Sequence, residues 1–174
     1  MGPVLHFSDY LEVMIMKSRG SKYIPDSKHK GHSLRCQYCG SPTVLRSADG
    51  IYKSNPDNTQ LYVCTRWPAC DAYVRVHPGT TIPVGSVANK KLRQMRYQAH
   101  QAFDQLHKSG LMSDDQAYQW LAGLLQAPRS QAHIGYLGEY SCQLVIDESK
   151  KLMSNAKKTG ITRWGIPQLV GGVR

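Results

Sequence analysis

Apolar residues recur with a helical period over one long stretch of the chain. Ala88, Leu92, Met95, Ala99, Phe103 and Leu106 lie four, three, four, four and three residues apart, which is the stripe of an amphipathic helix. That helix is expected to begin near Ser86 to Ala88. A second helix is announced by Ser113-Asp114-Asp115-Gln116, a capping box with two acids in the first turn. It continues through Ala117, Trp120, Leu121, Leu124 and Leu125 and ends at Ala127-Pro128. After a polar turn at Arg129-Ser130-Gln131 and a return through His133–Leu137, the residues Cys142, Val145, Ile146, Ser149 and Leu152 make the inward stripe of a third. Ahead of the helices, Gln60–Val63 and Ala72–Val76 read as β-strands. His77–Gly85, with two prolines and two glycines, reads as the connector between the two halves. Tyr10–Met16 is too short for periodicity to choose between strand and helical turn.

Four of the five cysteines fall in the strand region as two close pairs, Cys36 with Cys39 and Cys64 with Cys70. Zn2+ takes four soft ligands in a tetrahedron, and two turns carrying paired thiolates supply them. In Arg35-Cys36-Gln37-Tyr38-Cys39-Gly40 the two intervening residues let both sulfurs reach one ion, and Gly40 can take the positive φ where the chain turns back. The Cys64–Cys70 turn has five intervening residues and lies between the two strand-like runs, as a knuckle at a hairpin end would. One structural zinc on Cys36, Cys39, Cys64 and Cys70 is therefore expected. The competing pattern is a disulfide framework, which needs an oxidising compartment. The first residues, Met1–Asp9, lack a basic segment followed by an apolar core and a small-residue cleavage site, so a reducing, cytoplasmic setting is expected. His77 is a substitute ligand in principle, and Cys142 reads as a small core residue.

Leu61–Tyr73, with its Cys64, the pair Trp67-Pro68 and Cys70, resembles the second knuckle of the topoisomerase-type zinc ribbon, a module associated with single-stranded DNA. Over about Cys36 to Met153 the chain resembles a family of small bacterial and phage zinc-finger-containing proteins whose function is not established. The residues behind this likeness are the ribbon, Asn89–Arg93, Ala99–Asp104, Ala117–Leu121 and His133-Ile134-Gly135. The resemblance implies a fold and a metal, and no activity. The expected class is α+β: a small four-cysteine zinc ribbon of β-hairpins over 35–78, then a three-helix domain over 86–154, with a basic leader over 1–34 and a basic tail over 155–174.

Charge sharpens this picture. The chain of 174 residues carries 22 Lys and Arg against 12 Asp and Glu, a net charge of +10 that suits a polyanionic partner. The ribbon is nearly neutral, and the excess lies at both ends and in 81–110, where five basic residues meet one acid. On a helical wheel Arg93, Arg96, His100 and His107 flank the first stripe, Lys90 lies toward solvent and Lys91 on the opposite flank. Positive charge at a helix N-terminus opposes the macrodipole, which suggests that it serves a partner; an ordinary solvated face is the alternative. Aromatic and basic residues of the ribbon, Tyr62, Arg66, Trp67 and Tyr73, suit base stacking beside phosphate contacts. Residues 17–34 read as a basic arm or a solvated linker, and Trp164 marks a tail suited to ordering on a partner.

These features point to a non-catalytic protein binding nucleic acid, with DNA expected as single strand or junction, through Lys90, Lys91, Arg93, Arg96, Arg66, Trp67 and Tyr62. The other reading is an adaptor or inhibitor docking on a host enzyme or a nucleoprotein complex. His100, Asp104, His133 and Cys142 do not make a convincing nucleophilic set, since Cys142 sits on a stripe expected to be buried. No Gly-rich phosphate loop or nucleophile elbow occurs, and no run of eighteen apolar residues suggests a membrane span.

Overall fold

The computed structural model describes residues 34–159 together with the two-residue strands at 161–162 and 166–167. The basic leader up to residue 33 and most of the tail, Trp164 included, lie outside the described residues. The architecture is the expected α+β arrangement: a three-stranded antiparallel sheet followed by three helices.

The sheet is a meander of β1 (Thr43–Ser47), β2 (Gln60–Cys64) and β3 (Tyr73–Arg75), with β2 in the middle. Strand β1 was not apparent in the sequence because only its first residue is buried. It pairs Thr43 with Cys64 and Ser47 with Gln60, while β3 pairs Arg75 with Leu61 and Tyr73 with Val63. Alternation along β2 divides the sheet. Leu61 and Val63 pack with Ala48, Ile51, Tyr52, Trp67 and Tyr73 on one face. Tyr62, Cys64 and Val74 face the other cysteines, Leu34, Val84 and Val87 on the other.

The connector is pinned to both halves. Val84 N–H donates to Arg75 O, Ala88 and Tyr73 exchange backbone hydrogen bonds, and Ser86 N–H donates to Gly135 O. Gly85 and Gly135 let the two backbones meet: a Cβ on Gly85 would stand 2.0 Å from Gly135 O, and one on Gly135 2.4 Å from Val84 O.

Helix α1 spans Lys90–Lys108, two residues or more later than expected, because Asn89 supplies the N-cap and accepts from Leu92 N–H at 2.9 Å. Helix α2 (Asp114–Leu125) carries the capping box in full, with Ser113 and Gln116 bonded reciprocally. Helix α3 runs from Glu139 to Thr159, past the expected boundary. Lys91 pairs with Glu139 at one end, and Ser109 Oγ meets Met153 Sδ at 3.5 Å toward the other, so α1 and α3 run parallel. The common core holds Leu92, Phe103, Leu106, Trp120, Leu121, Ile134, Cys142 and Val145. Phe103 stacks on Trp120 and meets Tyr118 edge-on. Cys142 is wholly buried, which pushes its thiol pKa up and leaves it a core residue.

Candidate metal centre

Two turns at one end of the sheet bring the cysteines together. In the first, Gly40 has φ +71°, its N–H donates to Cys36 O at 2.8 Å, and Cys36 N–H donates to Ser41 O at 2.8 Å. In the second, Trp67 N–H donates to Cys64 O and Cys70 N–H to Arg66 O, both at 3.0 Å, so five intervening residues coil into a compact knuckle. The four Sγ atoms lie within 4.8 Å of one another. Cys36 Sγ is 3.6 Å from Cys70 Sγ, and Cys39 Sγ is 3.4 Å from Cys64 Sγ. A disulfide brings its sulfurs to about 2 Å, whereas four thiolates about 2.3 Å from one ion stand about 3.8 Å apart. The spacing is that of a tetrahedral metal cage. His77 is exposed and stands outside it.

The surroundings favour the thiolate at Cys39 and the thiol at Cys64 and Cys70 until a cation is present. The hydroxyl and N–H of Ser41 hydrogen-bond to the Cys39 sulfur and bring its thiol pKa down to about 6. Burial pushes Cys64 up to about 12, although a hydrogen bond from the Arg66 backbone favours its thiolate. The Ala72 backbone supports the Cys70 thiolate in the same way, while burial and the sulfurs of Cys36 and Cys39 push that thiol upward overall. Such N–H donors spread the charge of a zinc-bound sulfur, and the ion supplies the positive charge that crowded thiolates need.

Residues 32–152 match the model of a family described as a zinc-finger-containing domain. The chain belongs to this family. Its cysteine cluster is then the zinc finger of that domain, with Cys36, Cys39, Cys64 and Cys70 as the residues that would hold the metal. No curated protein matches the chain, and no solved structure matches it.

Around this zinc finger the basic and aromatic residues singled out from the sequence separate into distinct groups. Arg96 is buried, with Nε donating to Leu137 O, Nη1 to Ser86 O and Nη2 to Ser86 Oγ. It ties the connector and the loop before α3 to α1, and its donors are turned away from any phosphate. Arg93 donates to Asp71 O at 2.7 Å and to Ala88 O, pairs with the Asp71 carboxylate at 3.6 Å, and lies 3.6 Å above the Tyr73 ring. Lys91 pairs with Glu139. Arg96, and in large part Arg93, are thus engaged within the fold, whereas Lys91 stays 69% exposed in a surface pair. Arg66 and Lys90 remain exposed, and neither side chain has an ion pair among the described residues. Tyr62 packs beside the cysteines, whereas Trp67 lies on the opposite face of the sheet, 6.1 Å from Tyr73 with its ring edge-on.

Three residues absent from the sequence-derived set join Trp67 there. Tyr52 stands 6.1 Å from Tyr73, so Tyr52, Tyr73 and Trp67 form a row of half-buried rings. Arg46 and Arg75 are both register partners of Leu61 and lie on either side of it. Only the strand register reveals that pairing, since the two arginines are far apart in sequence.

Proposed function

We propose that this zinc-finger protein binds single-stranded nucleic acid across the sheet face that carries Tyr52, Tyr73 and Trp67. The zinc is structural and fixes the second knuckle, hence the position of Trp67. Tyr73 is committed to Arg93, so base stacking falls to Tyr52 and Trp67, while Arg46 and Arg75 contact phosphates. The observation that carries this reading is the juxtaposition of the ring row with Arg46 and Arg75, two exposed cations that have no ion pair among the described residues. DNA is the proposed ligand in the first instance, and the basic segments outside the sheet add non-specific attraction.

The test is fluorescence anisotropy of labelled ten-residue thymidine and uridine strands and a DNA duplex, across a salt series. The expected result is preferential binding of a single strand. In the Arg46→Ala, Arg75→Ala double variant the slope of log affinity against log salt should flatten by about 1.4, the value for two lost single-strand phosphate contacts. Absence of binding, or an unchanged slope in the folded variant, refutes the reading.

A protein-docking adaptor is the second reading. It is favoured by tyrosines on the helical half that are heavily exposed, Tyr140 at 81% and Tyr97 at 58%, since tyrosine is enriched in protein interfaces. A defined protein partner retained after nuclease treatment, with no nucleic acid bound, would shift the balance to it.

A further inference from the structure

Beside the zinc knuckles, where they meet the start of α1, lies a depression of about 290 Å3 lined by Tyr38, Cys39, Arg66, Ala69, Cys70, Asp71 and Asn89. It is slightly smaller than typical small-molecule pockets, a size suited to one base rather than a folded ligand. Arg66 lines it and immediately precedes Trp67 in the chain, but Trp67 packs on the opposite face of the sheet from the cysteines, so a strand reaching both would cross the second knuckle.

Its chemistry is that of a base reader rather than a phosphate cradle. Arg66 is the one cation in the lining, against the Asp71 carboxylate and two cysteine sulfurs that become thiolates on a metal. A phosphate would be repelled by most of that wall. The start of α1 offers it little, because Lys90 N–H already donates to Asp71 Oδ2 and Leu92 N–H to Asn89 Oδ1. Left without partners among the described residues are Asp71 Oδ1, an acceptor, Asn89 Nδ2, a donor, and the whole Arg66 guanidinium fork. The Tyr38 side chain, in a residue 43% exposed, offers a ring at the rim.

Among the bases, one presents donors on one edge and two acceptors on another. Guanine offers N1–H and an exocyclic amine to a carboxylate, and O6 with N7 to an arginine fork. Adenine offers the carboxylate a single amine, and thymine one ring N–H with no paired acceptor edge for the fork. We propose that this depression is a guanine-reading site: the base stacks on Tyr38, donates to Asp71 Oδ1, and accepts from Arg66 at O6 and N7 with Asn89 Nδ2 beside them. The site would give a strand held on the sheet face a preferred register, and in that sense the proposal rests on the single-strand reading above.

The test compares four labelled strands on the zinc-loaded full chain: ten thymidines, and the same strand with one central guanine, inosine or 7-deazaguanine. Wild type should bind the guanine strand about tenfold more tightly than the thymidine strand, the discrimination one bidentate arginine pair supplies. Inosine, which lacks the exocyclic amine, and 7-deazaguanine, which lacks N7, should each lose part of that gain. Arg66→Gln should bring the guanine and thymidine strands to equal affinity, with zinc content and circular dichroism unchanged. Equal affinities in wild type, with the thymidine strand still bound, overturn the guanine site alone. A guanine preference that survives Arg66→Gln overturns it too. Failure of every strand to bind overturns both this site and the single-strand reading.

Discussion

The carboxylate of Asp71 accepts the backbone N–H of Lys90 at 2.9 Å, so the residue that follows the last cysteine of the ribbon caps the first helix of the other half. Helix α1 has no acid in its own first turn. Asp71 supplies one from the ribbon, and Arg93 closes the arrangement by gripping Asp71 and stacking on Tyr73. Within the fold, Asp71 thus offsets the charge of Arg93 and the N-terminal end of the helix dipole.

That joint should be measurable. Arg93→Ala removes a ring contact and hydrogen bonds to two carbonyls, and is expected to cost about 2–3 kcal/mol of folding stability. Asp71→Ala should cost about 1 kcal/mol, and the double variant less than the sum, because both remove the same contact. Urea titration of the zinc-loaded variants gives the coupling energy, and strict additivity would show that the two residues act apart.

Arg96 should behave as a structural residue. Arg96→Ala leaves the carbonyls of Ser86 and Leu137 short of a donor and is expected to destabilise by about 3 kcal/mol. Arg96→Lys should recover little, because one ammonium cannot reproduce the planar fork that reaches both segments. At temperatures where the variants stay folded, the salt slope of nucleic-acid binding should match wild type, in contrast to the Arg46, Arg75 pair.

Zinc binding should weaken steeply in acid. Cys64 and Cys70 have raised thiol pKa values without metal and are protonated at neutral pH, so each gives up a proton on binding. Together they should lower zinc affinity by at least about a hundredfold for each pH unit lost between 8 and 6. Cys39, held near 6, is already a thiolate in that window and steepens the loss only as the pH falls through about 6. Competition with a chromogenic chelator at stepped pH measures the slope, and a flat profile would contradict a four-thiolate site. Chelation at pH 7 should also lower the melting temperature.

Glycine substitutions separate close approach from open space. Gly85→Ala and Gly135→Ala each drive a methyl into backbone at 2.0 and 2.4 Å and should cost more than about 2 kcal/mol. Gly123→Ala, inside α2 with nothing near its added carbon, should instead stabilise by about 0.5–1 kcal/mol. Thermal melts of the three variants check the sign of each change.

What the sequence revealed and what it hid follow one physical division. The zinc ligands were legible because each knuckle carries two thiols a few residues apart, and the capping box because Ser113 and Gln116 are three residues apart. The internal bonds of Arg93 and Arg96, expected on a flank of the helix as phosphate contacts, were not legible because their partners, Asp71, Ser86 and Leu137, are brought to them only by folding. Strand β1 escaped notice because an edge strand with four exposed residues carries little hydrophobic alternation. With it went Arg46, whose place opposite Arg75 is a property of register alone.

Because α1 and α3 run parallel, both start beside the ribbon and both finish away from it. A fluorophore or fusion partner joined after α3, whose 21 residues span about 30 Å, would stand clear of the zinc and the sheet face. One attached at Leu34, which packs with the cysteines and whose carbonyl accepts Thr43 N–H, would crowd the zinc side. Immobilisation through the far end of α3 is therefore the orientation that leaves the ribbon open to whatever it holds.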